Sequence, residues 1–269
     1  MGESVRLDGI RTITLDFGNT LVPVTRASLH AVVERTAANA TARLRLGDAQ
    51  RFLAVWSEER ERQFHEEVPL FREVDLPERA VRVLARLRGM ASPPAHERWD
   101  MVAAAALSDQ AEADLIVESY STAFVAGIPA PVESRMLLED LSRRGFRLAI
   151  LSNWPLASTI DRFAATAGWQ PWLDGIFVSQ RIGTIKPHPA IFRFVERALD
   201  ERPDRIAHVG DDRAADVAGS AAAGWRAVYL RDHQADSALP TSTPGPDIVP
   251  DLVLDRLSDL ARHLADPSP

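Results

Sequence analysis

The chain has no cysteine. Disulfides, thiol nucleophiles and cysteine-ligated zinc are therefore excluded. It is almost without lysine as well: of its 31 Lys and Arg residues, only Lys186 is lysine. No stretch approaches the roughly 20 apolar residues of a membrane-spanning helix, and no internal repeat is visible. The net charge of −7 and pI near 5.5 argue against a nucleic-acid or anionic-membrane partner. Residues 1–11 carry mixed charge and no apolar run, so no signal peptide is read there and a cytoplasmic protein is expected.

What is present is enough apolar material for a sizeable core, 46% of 269 residues. The single lysine stands out against that background. Arginine is a wide planar fork, whereas lysine is a compact point charge on a flexible stem. A lysine kept where arginine does every other cationic job marks a place to inspect.

The pattern changes twice along the chain. Residues 11–17 (RTITLDF) read as a short strand that ends in a Gly-Asn turn. From residue 24 the apolar residues fall at helical spacing, with breaks at Gly47-Asp48, Val68-Pro69 and Ser92-Pro93-Pro94. After Gly127-Ile128-Pro129, strands and helices alternate. Strands are expected at 146–151, 175–178, 206–209, 227–230 and 252–254, and helices at 132–144, 156–167, 189–199, 214–223 and near 256–264. Residues 232–250, rich in Pro, Ser, Thr and Asp, read as a loop. The expectation is an α/β protein with a doubly wound parallel sheet. Its core is formed by residues 1–23 and 129–269, and an all-helical insert covers 24–128.

In such sheets ligands bind beyond the carboxyl ends of the strands. Three strand ends carry chemistry: Asp16-Phe17-Gly18-Asn19-Thr20, Ser152-Asn153-Trp154, and Gly210-Asp211-Asp212 followed by Asp216. Lys186 precedes the helix that Pro187 to Pro189 introduce. These four motifs, in this order, resemble the haloacid dehalogenase (HAD) superfamily, and the resemblance spans the whole α/β core. It makes the helical insert a cap, placed directly after the first motif.

The resemblance implies a phosphatase that takes a small phosphorylated metabolite and uses Mg²⁺. Asp16 becomes the nucleophile, since a carboxylate can attack a phosphoryl group and form an aspartyl-phosphate. Asp16, Asp211, Asp216 and the Gly18 carbonyl become metal ligands, hard oxygen donors of the kind Mg²⁺ prefers. Ser152, Asn153 and Thr20 become phosphate-binding residues. Lys186 becomes the cation that faces both the Asp16 carboxylate and the phosphate, offsetting their repulsion. Asp212 is expected to cap the following helix.

One position departs from the family pattern. Phosphatases of this kind carry a second Asp two residues after the nucleophile, and here Gly18 stands there. The carbonyl is kept, but the general acid/base carboxyl is lost, a function typically worth about 10²–10⁴-fold. The cap histidines His30 and His65 are candidate replacements, and Trp56, Trp99 and Trp154 are candidate site-lining aromatics. Relatives that form a Schiff base on a cap lysine are excluded, because the insert has no lysine. Two alternatives stay open: a relative that binds without turnover, and a 2-haloacid dehalogenase.

Overall fold

Four buried residues, Thr12–Leu15, form the first strand, β1, at the centre of a parallel sheet. The computed structural model describes residues 6–231 and 248–267, so most of the expected 232–250 loop lies outside the described residues. The chain divides into two compact units, one of Met1–Thr25 with Pro129–Pro269 and the other of Arg26–Ile128. No single helix among the described residues is long and apolar enough to cross a membrane.

The second unit is helical. Its helices are α1 (Arg26–Leu44), α2 (Ala49–Glu67), α3 (Leu76–Leu87), the short α4 (Met101–Ala105) and α5 (Gln110–Gly127). Aspartates set the starts: Asp48, Asp75, Asp100 and Asp109 each accept hydrogen bonds from backbone N–H groups of the first turn. Asp109 and Glu112 close a reciprocal capping box. The interior is aromatic, with Trp56 stacked between Phe52 and Tyr120.

In the first unit, β1 is flanked by β2 (Arg147–Ser152) and β4 (Ile206–Gly210). The full order is β3-β2-β1-β4-β5-β6, with β3 at Gly175–Val178, β5 at Arg226–Leu230 and β6 at Leu252–Leu254. Every pairing is parallel. Helices α6 (Val132–Arg143), α7 (Ala157–Thr166), α8 (Ser179–Ile182) and α9 (Pro189–Leu199) supply the crossovers. β2 is a continuous apolar run because a parallel strand is buried on both faces. One such face packs Leu151, Ile206 and Trp225 against Ile191, Phe192 and Val195 of α9.

The chain leaves β1 in one direction for β2 and β3, and later in the other for β4 to β6. The strand order therefore reverses at β1 and β4, the crevice where ligands of open α/β sheets bind.

The structure differs from expectation after β4. The helix expected at 214–223 is two pieces, a π-helical turn Arg213–Ala218 and a short helix α10, Gly219–Ala222. The Asp212 carbonyl accepts from both Asp216 N–H at 2.9 Å and Val217 N–H at 3.2 Å. The widened turn accommodates the five-residue step from Asp211 to Asp216, and π-bulges of this kind are frequent at functional sites. The Asp212 carboxylate caps the turn, accepting from Ala214 and Ala215 N–H at 2.8 Å each.

Candidate active site

The ends of β1, β2 and β4 bring Asp16, Ser152 and Asp211 to one end of the sheet, and the π turn adds Asp216. Lys186 joins them. It is 2% exposed, and its ammonium has three partners: Asp16 Oδ1 at 2.8 Å, the Leu151 carbonyl at 2.8 Å and Asp216 Oδ1 at 2.6 Å. An ammonium has three N–H donors pointing away from one atom, so each finds an acceptor. A planar guanidinium cannot direct donors in that way, which explains why this cation is the chain's one lysine.

The backbone holds Lys186 in place. Asn153 Oδ1 accepts from Lys186 N–H at 2.8 Å, and Asn153 Nδ2 donates to the Lys186 carbonyl at 3.0 Å. The amide expected to bind phosphate thus engages the lysine main chain and positions it. Thr20, also expected at the phosphate, donates its hydroxyl to Asp211 Oδ1 at 3.2 Å. The buried Ser152 hydroxyl hydrogen-bonds the Asp16 carboxylate. Gly18 lies in the tight loop after β1, bridged to Val22, where Asn19 adopts φ 57° and accepts from Val24 N–H through its side chain.

Two residues of the site were not read from the sequence. His208, fully buried in β4, places Nε2 3.0 Å from Asp216 Oδ1 and Nδ1 2.8 Å from the Thr14 hydroxyl. Thr14 and His208 are register partners on adjacent strands. Burial and the nearby Lys186 charge lower the His208 pKa, so the ring is neutral. An ionised Asp216 requires the proton at Nε2, leaving Nδ1 to accept from Thr14. The signal available in the sequence was a lone histidine inside an apolar strand, opposite a threonine.

The two carboxylates that share Lys186 differ in their titration. Asp216 is pushed up by burial, but Lys186 and His208 outweigh this and hold it well below the usual carboxylate range. Its Oδ2 also accepts from Asp212 N–H at 2.9 Å. Asp16 is pushed up to about 6 by burial, with the Asp216 charge adding to the effect and Lys186 opposing it. One acid is a permanent anion, and the other is the group whose ionised form is less stabilised. Environments that push two acids apart in this way are a mark of assigned roles.

Asp16, Asp211 and Asp216 each offer a carboxylate oxygen, all within 4.8 Å of one another. This all-oxygen set suits a hard divalent cation. His30 and His65 are on exposed surfaces of the helical unit, each beside a glutamate one turn away. Trp56, Trp99 and Trp154 are buried side chains; Trp99 donates to Glu59, and Trp154 packs edge-on against Phe17.

Gly210 is required by close approach. A Cβ there would lie 2.1 Å from Asp216 Cγ. Gly210→Ala must displace the carboxylate, and we expect it to destabilise the protein by about 1–3 kcal/mol in urea unfolding. Asp16→Asn should act in the opposite direction. The Asp16 pKa of about 6 lies above the ordinary value of 3.8, so stability falls as pH rises through this interval and the penalty is complete above it. With metal chelated at pH 8, Asp16→Asn should melt at least about 3 °C above the wild type. The difference should vanish near pH 4, and a lower melting temperature at pH 8 would contradict the assignment.

Comparison with known proteins places the chain in a family. The family model for haloacid dehalogenase-like hydrolases matches residues 10–224. The chain is 30% identical over 141 residues to haloacid dehalogenase-like hydrolase domain-containing protein 3 of Mus musculus, covering 52% of this chain and 55% of that protein. It is 32% identical over 102 residues to a phosphoserine phosphatase of Thermus thermophilus, covering 38% and 41%. The chain thus spans about half the length of the curated relatives it matches. The fold is similar to that of a 2-haloacid dehalogenase from Pseudomonas syringae pv. Tomato DC3000, with TM-score 0.63, 22% identity and coverage of 94% and 97%. With its parallel sheet, its helical insert and a family match across residues 10–224, the chain belongs to the haloacid dehalogenase-like hydrolases.

Proposed function

We propose that the protein hydrolyses small phosphomonoesters through an aspartyl-phosphate on Asp16. The observation that carries this reading is the buried Asp16 carboxylate held 2.8 Å from Lys186 at the crevice of the sheet. A carboxylate oxygen of Asp16 attacks phosphorus, the ester P–O bond breaks, and the leaving oxygen departs as an alkoxide with the bonding electron pair and takes a proton from water to become the alcohol. Water then cleaves the acyl phosphate and returns the carboxylate. Lys186 and the Ser152 hydroxyl offset negative charge as the phosphoryl group approaches. Phosphatases among the relatives support the same class of reaction, among them a glyceraldehyde 3-phosphate phosphatase of Methanopyrus kandleri at 28% identity over 153 residues.

The carboxylate set fits Mg²⁺, with Asp16 and Asp211 as the main ligands and the Gly18 carbonyl as a further oxygen. Asp216 has less capacity, because its oxygens already accept from Lys186, His208 and Asp212 N–H. When bound, the cation supplies positive charge that neutralises the phosphate oxygens.

Gly18 decides which esters react well. Among the described residues no carboxyl stands at the usual acid position, and His208 is sealed against Asp216. The leaving alcohol therefore departs with little proton donation, so esters of acidic alcohols are favoured.

A panel of phosphomonoesters assayed with Mg²⁺ and with chelator tests the reading. Turnover should require Mg²⁺ and vanish in Asp16→Asn; activity that survives in that variant removes the nucleophile from Asp16. Binding of phosphate without turnover of any ester would favour a binding protein, and metal-independent chloride release from 2-chloropropionate a dehalogenase. A second experiment addresses the missing acid. Gly18→Asp should raise turnover of alkyl phosphates about tenfold or more, and of p-nitrophenyl phosphate much less, because only the poor leaving group needs the proton. An equal effect on both would place the acid elsewhere.

A further inference from the structure

Two neighbouring strands carry polar residues in matching places on one face. Side chains two apart along a strand point to the same side, so Thr14 and Asp16 of β1 share a face, as do His208 and Gly210 of β4. Register pairs Thr14 with His208, which puts all four on one side of the sheet. Gly210 has no side chain, and the Asp216 carboxyl takes the space where its Cβ would lie. Asp216 thus fills the place of a side chain at 210, one step along the strand from His208.

His208 is fully buried, and its ring packs edge-on against Phe192 and Trp225 at centroid distances of 6.3 and 6.4 Å. The Thr14 hydroxyl lies 2.8 Å from Nδ1 and 3.4 Å from the Ala207 carbonyl, so its proton goes to the ring. A leucine would fill the same place without burying two ring nitrogens. What the ring adds is one N–H. Its Nε2 lies 3.0 Å from Asp216 Oδ1, the same oxygen that accepts from Lys186 at 2.6 Å. The other oxygen, Oδ2, accepts from Asp212 N–H. The charge on Oδ1 is therefore divided between a neutral donor and the ammonium. Lys186 in turn divides its donors between Asp216 and Asp16, which lies at 2.8 Å. Without the ring N–H, Asp216 would draw the ammonium more strongly, at the expense of Asp16. In a space nearly free of water such competition is strong.

We infer that His208 is a positioning residue: oriented by Thr14, it donates Nε2–H to Asp216 Oδ1, limits how far Asp216 draws Lys186, and so keeps the ammonium available to Asp16 and the phosphoryl group. The effect on the phosphoryl group rests on the phosphatase reading. The sharing of Lys186 between the two carboxylates does not.

The chain's one lysine gives a direct readout. Isotope-labelled lysine yields a single side-chain ammonium signal in nitrogen NMR, that of Lys186. The signal is recorded with metal chelated for wild type, His208→Leu and His208→Gln. Both variants lack the ring, so ring effects on the signal are the same in the two. They differ in the donor, because the glutamine amide nitrogen is as many bonds from Cβ as Nε2 is. The Lys186 signal should move in His208→Leu and return towards its wild-type position in His208→Gln. On a phosphomonoester that the wild type cleaves, kcat should fall about tenfold or more in His208→Leu, with KM changed less, and recover most of that loss in His208→Gln. Equal Lys186 signals in the two variants overturn the inference and leave His208 a packing residue. Equal kcat in the two variants, where the wild type turns over, does the same. If His208→Leu does not fold, His208→Asn serves, since its amide ends one bond earlier and meets Thr14 instead of Asp216. A wild type that cleaves no ester sinks the phosphatase reading alone, and the Lys186 signal then decides the sharing.

Discussion

The head of the sheet depends on one buried ammonium group. Asp16 and Asp216 are two carboxylates in a space from which water is nearly excluded, and their charges repel strongly at low dielectric. Lys186 stands between them and gives the third of its protons to the Leu151 carbonyl. The sharing is unequal. Asp216 also accepts from His208 and from Asp212 N–H, so it is a fixed anion, whereas Asp16 has the Ser152 hydroxyl and a raised pKa. That asymmetry makes Asp216 part of the scaffold and suits Asp16 to the nucleophilic role proposed for it.

Backbone geometry is what allows the ammonium to sit there. Asn153 clamps both main-chain groups of Lys186, which orients a long flexible side chain from its root. Gly210 ends β4 without a Cβ, so the Asp216 carboxyl can lie directly on the strand end. The π turn from Arg213 to Ala218 carries the additional residue that brings Asp216 back to Asp212 N–H. Each feature is local, and each has its effect on the same pair of carboxylates.

Much of this was legible along the chain. The apolar run of β2 and the alternation of strands with helices follow from burial on both faces of a parallel sheet, and the boundaries expected for β3 and α9 match the structure. Asp212 as a cap was legible from its place before a helix. The role of Asn153 was not, because its partner is the main chain of a residue 33 positions away. His208 was hidden for a similar reason: inside a strand it looks like an isolated polar residue until its register with Thr14 is known. The π turn escaped because helical periodicity does not distinguish a five-residue step from a regular turn.

By itself the sequence determined the fold class, the order of the strand-end motifs and the chemical types at the site. Those depend on hydrophobic period, turn residues and residue identity, all of which are local. Only the tertiary structure decided which carboxylate is held as an anion and which amide positions the lysine. These are matters of distance and desolvation between segments far apart in the chain, and the interior dielectric that sets their strength exists only once the chain has folded.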